Sequence, residues 1–266
     1  MSAPVDNNWW KYCFDEIYLL TDARSVCDEK LTSQEVDFLE ETLNLDKAAP
    51  ILDLCGGQGR HSLELSRRGF TNVTVLDYSK YLLDSGEKSA KQEKLNTAFI
   101  QGDARNTGLR GQSFQFIIIM ASSFGYFVDD DENRKILKEV FRLLMPEGTL
   151  LLDLPARDYV IQNLKPLSCH QANEDITVRR ERKLVDDIIY TREKVTSEKG
   201  GCIRDRTYCT RLYSPEKISD LLHSVGFSSI THRKGFMSRE AEGDYGCMTN
   251  RMIITAKKNR ARAILD

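Results

Sequence analysis

No stretch of this sequence is apolar for long enough to cross a bilayer, no two cysteines stand at C-x-x-C spacing, and no histidines are placed as in a zinc finger. A lipid-embedded chain and a structural zinc site are therefore not expected. The start, MSAPVDNNWWKYCFDEIYLL, has no basic segment leading into an uninterrupted apolar one, so neither a signal peptide nor an anchor is expected. The seven cysteines are odd in number and scattered from Cys13 to Cys247, which reads as free thiols in a reducing, cytoplasmic setting. Excess charge of either sign is also missing: the formal net charge is -2, so the chain has no global attraction to nucleic acid or to an anionic membrane. Repeats and low-complexity tracts are absent. With 41% hydrophobic and 29% charged residues the composition is that of a folded chain, and 266 residues hold one large domain or one domain with an insertion.

What is present is alternation. Residues 8–20 mix Trp9, Trp10, Tyr12, Phe14, Ile17 and Tyr18 with few breakers, which predicts a packed helix. A second helix is predicted from Thr32, where T-S-Q-E reads as a capping box with Glu35, followed by Val36, Leu39 and Leu43 on one face. From residue 50 the pattern switches between short apolar runs (PILDL, NVTVLD, TAFIQ, FQFIIIM, GTLLLDL) and amphipathic stretches at 60–68, 79–94 and 131–144. That is the signature of βαβ units around a buried parallel sheet. After Pro155 the text becomes β-prone, ITVRRERKLV, DIIYTREKV and CIRDRTYCTRLY, with D-D and K-G-G turns between, which predicts an inserted antiparallel sheet. A helix at 215–225, ended by Gly226, and the closing runs FSSITHRKGF and MTNRMIITAKK follow.

The segment Ile51–Gly59, I-L-D-L-C-G-G-Q-G, is a buried strand running into a glycine-rich turn and then a helix, a design that lets backbone approach a ligand closely. Read from Gly57 it gives G-Q-G-R-H-S, so Ser62 stands where a dinucleotide fingerprint wants Gly or Ala. Asp53, just before the loop, suits a cationic ammonium and would repel a pyrophosphate. Asp77 ends the second strand, where a carboxylate can accept both hydroxyls of a ribose. Gly102-Asp103-Ala104 follows the third strand, with Asp103 able to accept from an adenine amine. Taken singly, Asp53 or Asp103 reads equally as a cap or turn residue.

Together these motifs resemble the class I methyltransferases that use S-adenosylmethionine (SAM), in their small-molecule branch (methyltransferase domain 25/11-like). The resemblance covers about residues 10–257 and is strongest over 50–154. It implies a Rossmann-like, doubly wound α/β fold with a seven-stranded sheet and an antiparallel β cap. The corresponding division is N-terminal helices or a lid at 1–48, a SAM-binding domain at 49–155 and 214–258, the cap at 156–213 and a tail at 259–266. It implies further that Asp53, Cys55, Gly57 and Gly59 contact the methionyl end of SAM, with Tyr18, Gly56, His61, Ser79 and Gly102 also in the cofactor site. Asp77 and Tyr78 would serve the ribose and adenine, Asp103 and Ala104 the adenine, and Ala121 would face the sulfonium. One departure is visible: Cys55 stands where the family has its first loop glycine.

Methyl transfer from a sulfonium needs alignment more than a base, so the sequence specifies no catalytic residue. The candidates it offers are Tyr18, Tyr126 and Arg157. The fourth-strand exit reads A-S-S-F-G-Y-F instead of the N/D-P-P-Y/F of nucleobase amino-methyltransferases, which disfavours that acceptor. Phe124 and Tyr126 either shape an acceptor pocket or pack. Trp10, Tyr12 and Tyr18 either roof the cofactor or pack on the core, and His61 either binds or caps its helix. In the cap, Arg179, Arg180, Arg182, Arg204, Arg206 and Arg211 either select an acidic acceptor or face water among balancing acids. The expected partner is a small-molecule acceptor methylated at O, N or S, with no nucleic acid or membrane, on a monomer or homodimer. The rivals are an RNA or protein methyltransferase, an NAD-dependent oxidoreductase, and a non-catalytic SAM-binding protein.

Overall fold

The computed structural model describes residues 5–236 and 250–259. Its N-terminal part differs from the sequence reading. The helix expected over 8–20 is two pieces, a 3-10 turn at Trp9–Lys11 and α1 at Glu16–Thr21. Asp15 makes the break: its backbone is extended and its carboxylate accepts from the Ile17 and Tyr18 amides at 3.0 and 3.2 Å, which starts a new helix. After the single turn α2 (Ala23–Val26), α3 (Glu29–Leu43) begins ahead of the expected capping box. Asp28 is the cap, accepting from the Leu31 amide at 2.9 Å. Thr32 lies inside the helix and donates to the Asp28 carbonyl, while Glu35 turns into the protein interior. Val36, Leu39 and Leu43 are buried on one face as predicted.

The alternating region forms β1 (Ile51–Leu54), α4 (Arg60–Arg67), β2 (Val73–Asp77), α5 (Lys80–Glu93), β3 (Thr97–Gln101), β4 (Phe114–Ile119), α6 (Asp130–Leu143) and β5 (Leu144–Pro155). Next come α7 (Arg157–Asn163) and an antiparallel meander of β6 (Leu167–Gln171), β7 (Ile176–Val185), β8 (Ile188–Ser197) and β9 (Gly201–Arg211). The D-D signal is a two-residue hairpin loop with both Asp186 and Asp187 at positive φ, as the twist of a tight hairpin requires. α7 and β6 were not read from the sequence; β6, LSCHQ, is a half-exposed edge strand with no β-branched residue. The chain then forms α8 (Pro215–Val225), β10 (Phe227–Phe236) and β11 (Arg251–Lys258). The first three residues of MTNRMIITAKK divide between the two states: Met248 and Thr249 lie outside the described residues, as does all of the expected tail beyond Asn259.

The main sheet has the order β10-β11-β5-β4-β1-β2-β3, parallel except for β11, which is antiparallel to both its neighbours. The run F-I-I-I in β4 is apolar throughout because both faces are covered. Ile117 and Ile119 meet α6 and α8 on one side, while Phe116 and Ile118 meet α3 and α4 on the other. Strand order reverses between β1 and β4, so the crevice beyond their C-terminal ends is where an open α/β sheet accommodates a ligand.

Candidate functional site

The loop after β1 is shaped by two carboxylates. Asp53 is buried, its Oδ2 accepting from the Ser62 hydroxyl at 2.8 Å while its Oδ1 has no partner among the described residues. Burial pushes its carboxyl up to about 6. A side chain at Gly56 would place a Cβ 2.7 Å from Asp53 Cγ, so only glycine lets the loop pass over that carboxylate. Asp77, at the tip of β2, ties two backbones: Gly57 N–H donates to Oδ2 and Ser79 N–H to Oδ1, each at 2.8 Å. Burial raises its carboxyl too, and these amides oppose the rise. Cys55 has φ 60°, a left-handed conformation that costs a side-chain-bearing residue about 1–2 kcal/mol. This is the physical content of the departure seen in the sequence.

A cavity of about 1000 Å³ opens at this crevice. Of the expected cofactor residues, Tyr18, Asp53, Cys55, Gly56, Gly57 and His61 line it near β1, Asp77 and Tyr78 at β2, Gly102, Asp103 and Ala104 at β3, and Ala121 at β4. Two do not. A Cβ on Gly59 would meet Val75 and Phe99, so that residue faces the sheet. Ser79 caps α5 and donates to the Phe14 carbonyl at 2.5 Å. Asp103 is held by Arg105, which also bonds Glu132 and lies over the rings of Trp10 and Phe127.

A second cavity of about 1060 Å³ lies beside the first, and Phe14, Tyr18, Val26, Arg60, Ala121 and Tyr126 line both. Burial raises the Tyr18 and Tyr126 phenols above their ordinary value, so both hydroxyls stay protonated at neutral pH. Trp10 lines the first cavity, with its ring edge on Tyr78 at 4.7 Å, whereas Tyr12 is exposed and lines neither. Phe124 belongs to the core beside Tyr213. Arg157 is removed from both cavities, its guanidinium bound to Asp187 and Asp158. Of the six cap arginines, Arg180, Arg182 and Arg204 line the second cavity. Arg179 pairs with Glu181, Arg206 with the Tyr12 carbonyl, and Arg211 with the Val128 carbonyl. Strand alternation separates Arg179 from Arg180 and Arg182, whereas Arg206 shares a face of β9 with Arg204 and differs in turning to the Tyr12 carbonyl.

Between the cavities the chain is strained: Ala121 and Ser122, successive non-glycine residues, have φ 57° and 59°. Asp153 holds this bend, accepting from Ala121 N–H at its Oδ2 (2.8 Å) and from Ser122 N–H at its carbonyl (3.1 Å). Behind it lies an ionic network that the sequence reading missed. Arg251 donates to Asp153 Oδ2 at 2.7 Å and to Glu35 Oε1 at 2.5 Å, and Glu35 Oε2 faces Arg60 at 2.5 Å and His61 at 2.8 Å. Burial pushes Glu35 up, but Arg60, His61 and Arg251 overcome it and hold the carboxyl well below its usual range. Burial also pushes His61 down to about 4, so at neutral pH its ring is uncharged and donates from Nε2 to Glu35. His61 thus borders the cavity while serving the network.

A family model described as a methyltransferase domain matches residues 51–148, from β1 into β5. YqeM of Bacillus subtilis is 26% identical over 250 residues, covering 89% of this chain and 96% of that one. The glycine/sarcosine N-methyltransferase of Halorhodospira halochloris is 28% identical over 218 residues, 79% of this chain and 78% of that one. A SAM-dependent methyltransferase from Clostridium acetobutylicum shares the fold with a TM-score of 0.72 at 21% identity, covering 91% of this chain and 96% of that one. Residues 51–148 are thus a methyltransferase domain, and the chain has the Rossmann-like fold of the class I SAM-dependent enzymes.

The residues of this methyltransferase fit its cofactor on two counts that are independent of the family match. The buried Asp53 oxygen, unpartnered among the described residues, calls for a donor, and Asp53, Gly56, Gly57 and Asp77 together border the open crevice at the strand tips. No helix among the described residues is long and apolar enough to cross a membrane.

Proposed function

We propose that this enzyme methylates an O, N or S atom of a small molecule seated in the second cavity, beneath the cap formed by residues 156–213. The observation that carries the reading is the shared wall: Tyr18, Ala121 and Tyr126 border both cavities, so a donor in one meets an acceptor in the other without crossing protein. In this reading Asp53 and the Cys55–Gly57 backbone hold the amino-acid end of SAM, Asp77 the ribose, and Asp103 with Ala104 the adenine. When bound, SAM supplies a methyl group on a sulfonium, which is already a good leaving group. The chain aligns the acceptor and excludes water: Trp9, Phe14, Tyr126 and Tyr208 give the acceptor cavity aromatic walls, and Arg180, Arg204 and Glu193 add ionic groups to its lining. The relative from Halorhodospira is named for N-methylation of glycine and sarcosine, which supports amines as the first acceptors to try.

The test is methyl transfer from labelled SAM to a panel of small amines, amino acids and phenols, with RNA and a protein lysate as separate arms. Turnover confined to small molecules is expected. Turnover confined to RNA or protein would overturn the acceptor class, and SAH binding with no turnover in any arm would favour a non-catalytic binder.

A pH dependence follows from Asp53. Its carboxyl is raised from 3.8 to about 6, so its contribution to stability in the unliganded protein is present below 3.8 and is lost as pH rises through about 6. An ammonium beside the ionised group restores that loss. The rise in Tm caused by SAH should therefore be larger at about pH 7.5 than at about pH 5, and Asp53→Asn should flatten the difference. An equal rise at both pH values in the unmodified enzyme would exclude Asp53 as the ammonium partner.

A further inference from the structure

We propose that Arg180 and Arg204 are positioning residues for methyl transfer: they clip the two ends of α1 to the inserted sheet and so hold Tyr18 in the gap between the cavities. The inference rests on the reading above that both cavities serve one reaction.

α1 has six residues, too few to persist as a helix without outside support. Both its caps are aspartates, and each is gripped by an arginine of the inserted sheet. Asp15 Oδ1, while capping Ile17 and Tyr18, also accepts from Arg204 Nη2. Asp22 Oδ2 accepts from Arg180 Nη2 at 2.9 Å. Glu193 joins the two arginines from the neighbouring strand, accepting from Arg180 Nε at 2.7 Å and lying 3.8 Å from Arg204 Nη1. The halves of the clip differ in burial. Arg180, Arg204 and Glu193 are buried, whereas the side chains of Asp15 and Asp22 keep 34% and 28% of their exposure. The sheet half is fixed and the α1 half can release.

The rest of the segment explains what the clip orients. Ile17 and Leu20 pack against Ile176, Val178 and Val195 of the inserted sheet, and this leaves Tyr18 to face both cavities. The opposite edge of the segment is tied to the cofactor loops by Ser79 donating to the Phe14 carbonyl and Gln58 Nε2 donating to the Val26 carbonyl at 2.8 Å. Residues 9–26 therefore bridge the cofactor loops and the inserted sheet, and Tyr18 is placed only when both sets of contacts are made.

The chain's two tryptophans, Trp9 and Trp10, both lie in this segment, so intrinsic fluorescence reads its state with no acceptor present. The experiment compares the full-length enzyme with R180Q/R204Q and with D15N/D22N, using SAH as the probe. Asparagine caps a helix as well as aspartate does, so the second variant removes the ion pairs and leaves the caps. Both variants should release SAH about tenfold faster in stopped-flow fluorescence and expose the tryptophans to acrylamide, with Tm of D15N/D22N close to the parent. R180K/R204K should recover part of the effect. Parental SAH release and parental quenching in D15N/D22N would overturn the clip, whatever the arginine variant does. If the parent enzyme fails to bind SAH the cofactor reading falls instead, and quenching of the unliganded proteins still decides the clip.

Discussion

Arg251→Met is expected to destabilise the fold by about 3–5 kcal/mol, a loss read as a lower urea midpoint. The guanidinium is fully buried, and its partners Glu35 and Asp153 are buried with it. Burial works against its charge, yet Asp153 and Glu35 hold it protonated above the usual arginine range. Methionine fills much of the same space but leaves two buried carboxylates without the cation they share, Glu35 keeping Arg60 and His61 and Asp153 keeping the Ala121 amide. Asp153 is already pushed up to about 6 by its burial, so without Arg251 it should take a proton near neutral pH. A protonated Asp153 accepts more weakly from Ala121 N–H, and the strained 121–122 bend then loses part of what offsets its cost. The variant should accordingly lose SAH affinity as well as stability. A stability change below about 1 kcal/mol would show that the interior rearranges to pair these charges elsewhere.

The second large effect is expected at Asp77. Asp77→Ala should weaken SAH binding by about 100-fold, roughly 2.7 kcal/mol, measured by calorimetric titration. The carboxylate does two jobs in this geometry: it takes the amides of Gly57 and Ser79, and in the proposed function it also takes the ribose hydroxyls. Hydrogen bonds to a charged acceptor are worth about 1.5–3 kcal/mol each, so losing even the two amide bonds is enough to let the glycine bend drift from the tip of β2. Asp103→Ala provides the contrast. Asp103 is less buried and is bound by Arg105, which keeps Glu132 as a second partner, so a loss of only about tenfold is expected there. If the Asp77 variant binds SAH as tightly as the parent, the cradle is not organised in this way.

The sequence made the central sheet legible because its signals are local. Five short apolar runs, each ending at a turn, need no distant partner to be recognised as buried strands. The glycine bend, Asp53, Asp77 and Gly102-Asp103-Ala104 stand at strand tips, and strand tips in this topology share one edge. The misreadings have a common cause. T-S-Q-E looked like a capping box because Thr32 and Glu35 are three apart, but a stronger demand on Glu35 comes from Arg60, His61 and Arg251. Residues 8–20 looked like one helix because aromatic spacing carries no mark of Asp15 capping a new start. Ser79 and Gly59 sit within the right motifs, yet Ser79 is taken up in capping α5 and Gly59 lies against Val75 and Phe99 of the sheet. Arg180 and Arg182 could not be separated from Arg179 without knowing which face of the inserted sheet meets the core, nor Arg204 from Arg206 without knowing that they bond different residues of the N-terminal segment, Asp15 and Tyr12.

The Arg251 network spans great distances along the chain: its contacts join residues 98 and 216 positions apart. The stretch matched as a methyltransferase domain, 51–148, contains neither Glu35, Asp153 nor Arg251. Excised on its own, that stretch would keep every glycine of the bend and lack the electrostatic keystone beneath it. The shape of the cradle therefore depends on parts of the chain far outside it, α3 laid on one face of the sheet and β11 paired alongside β5.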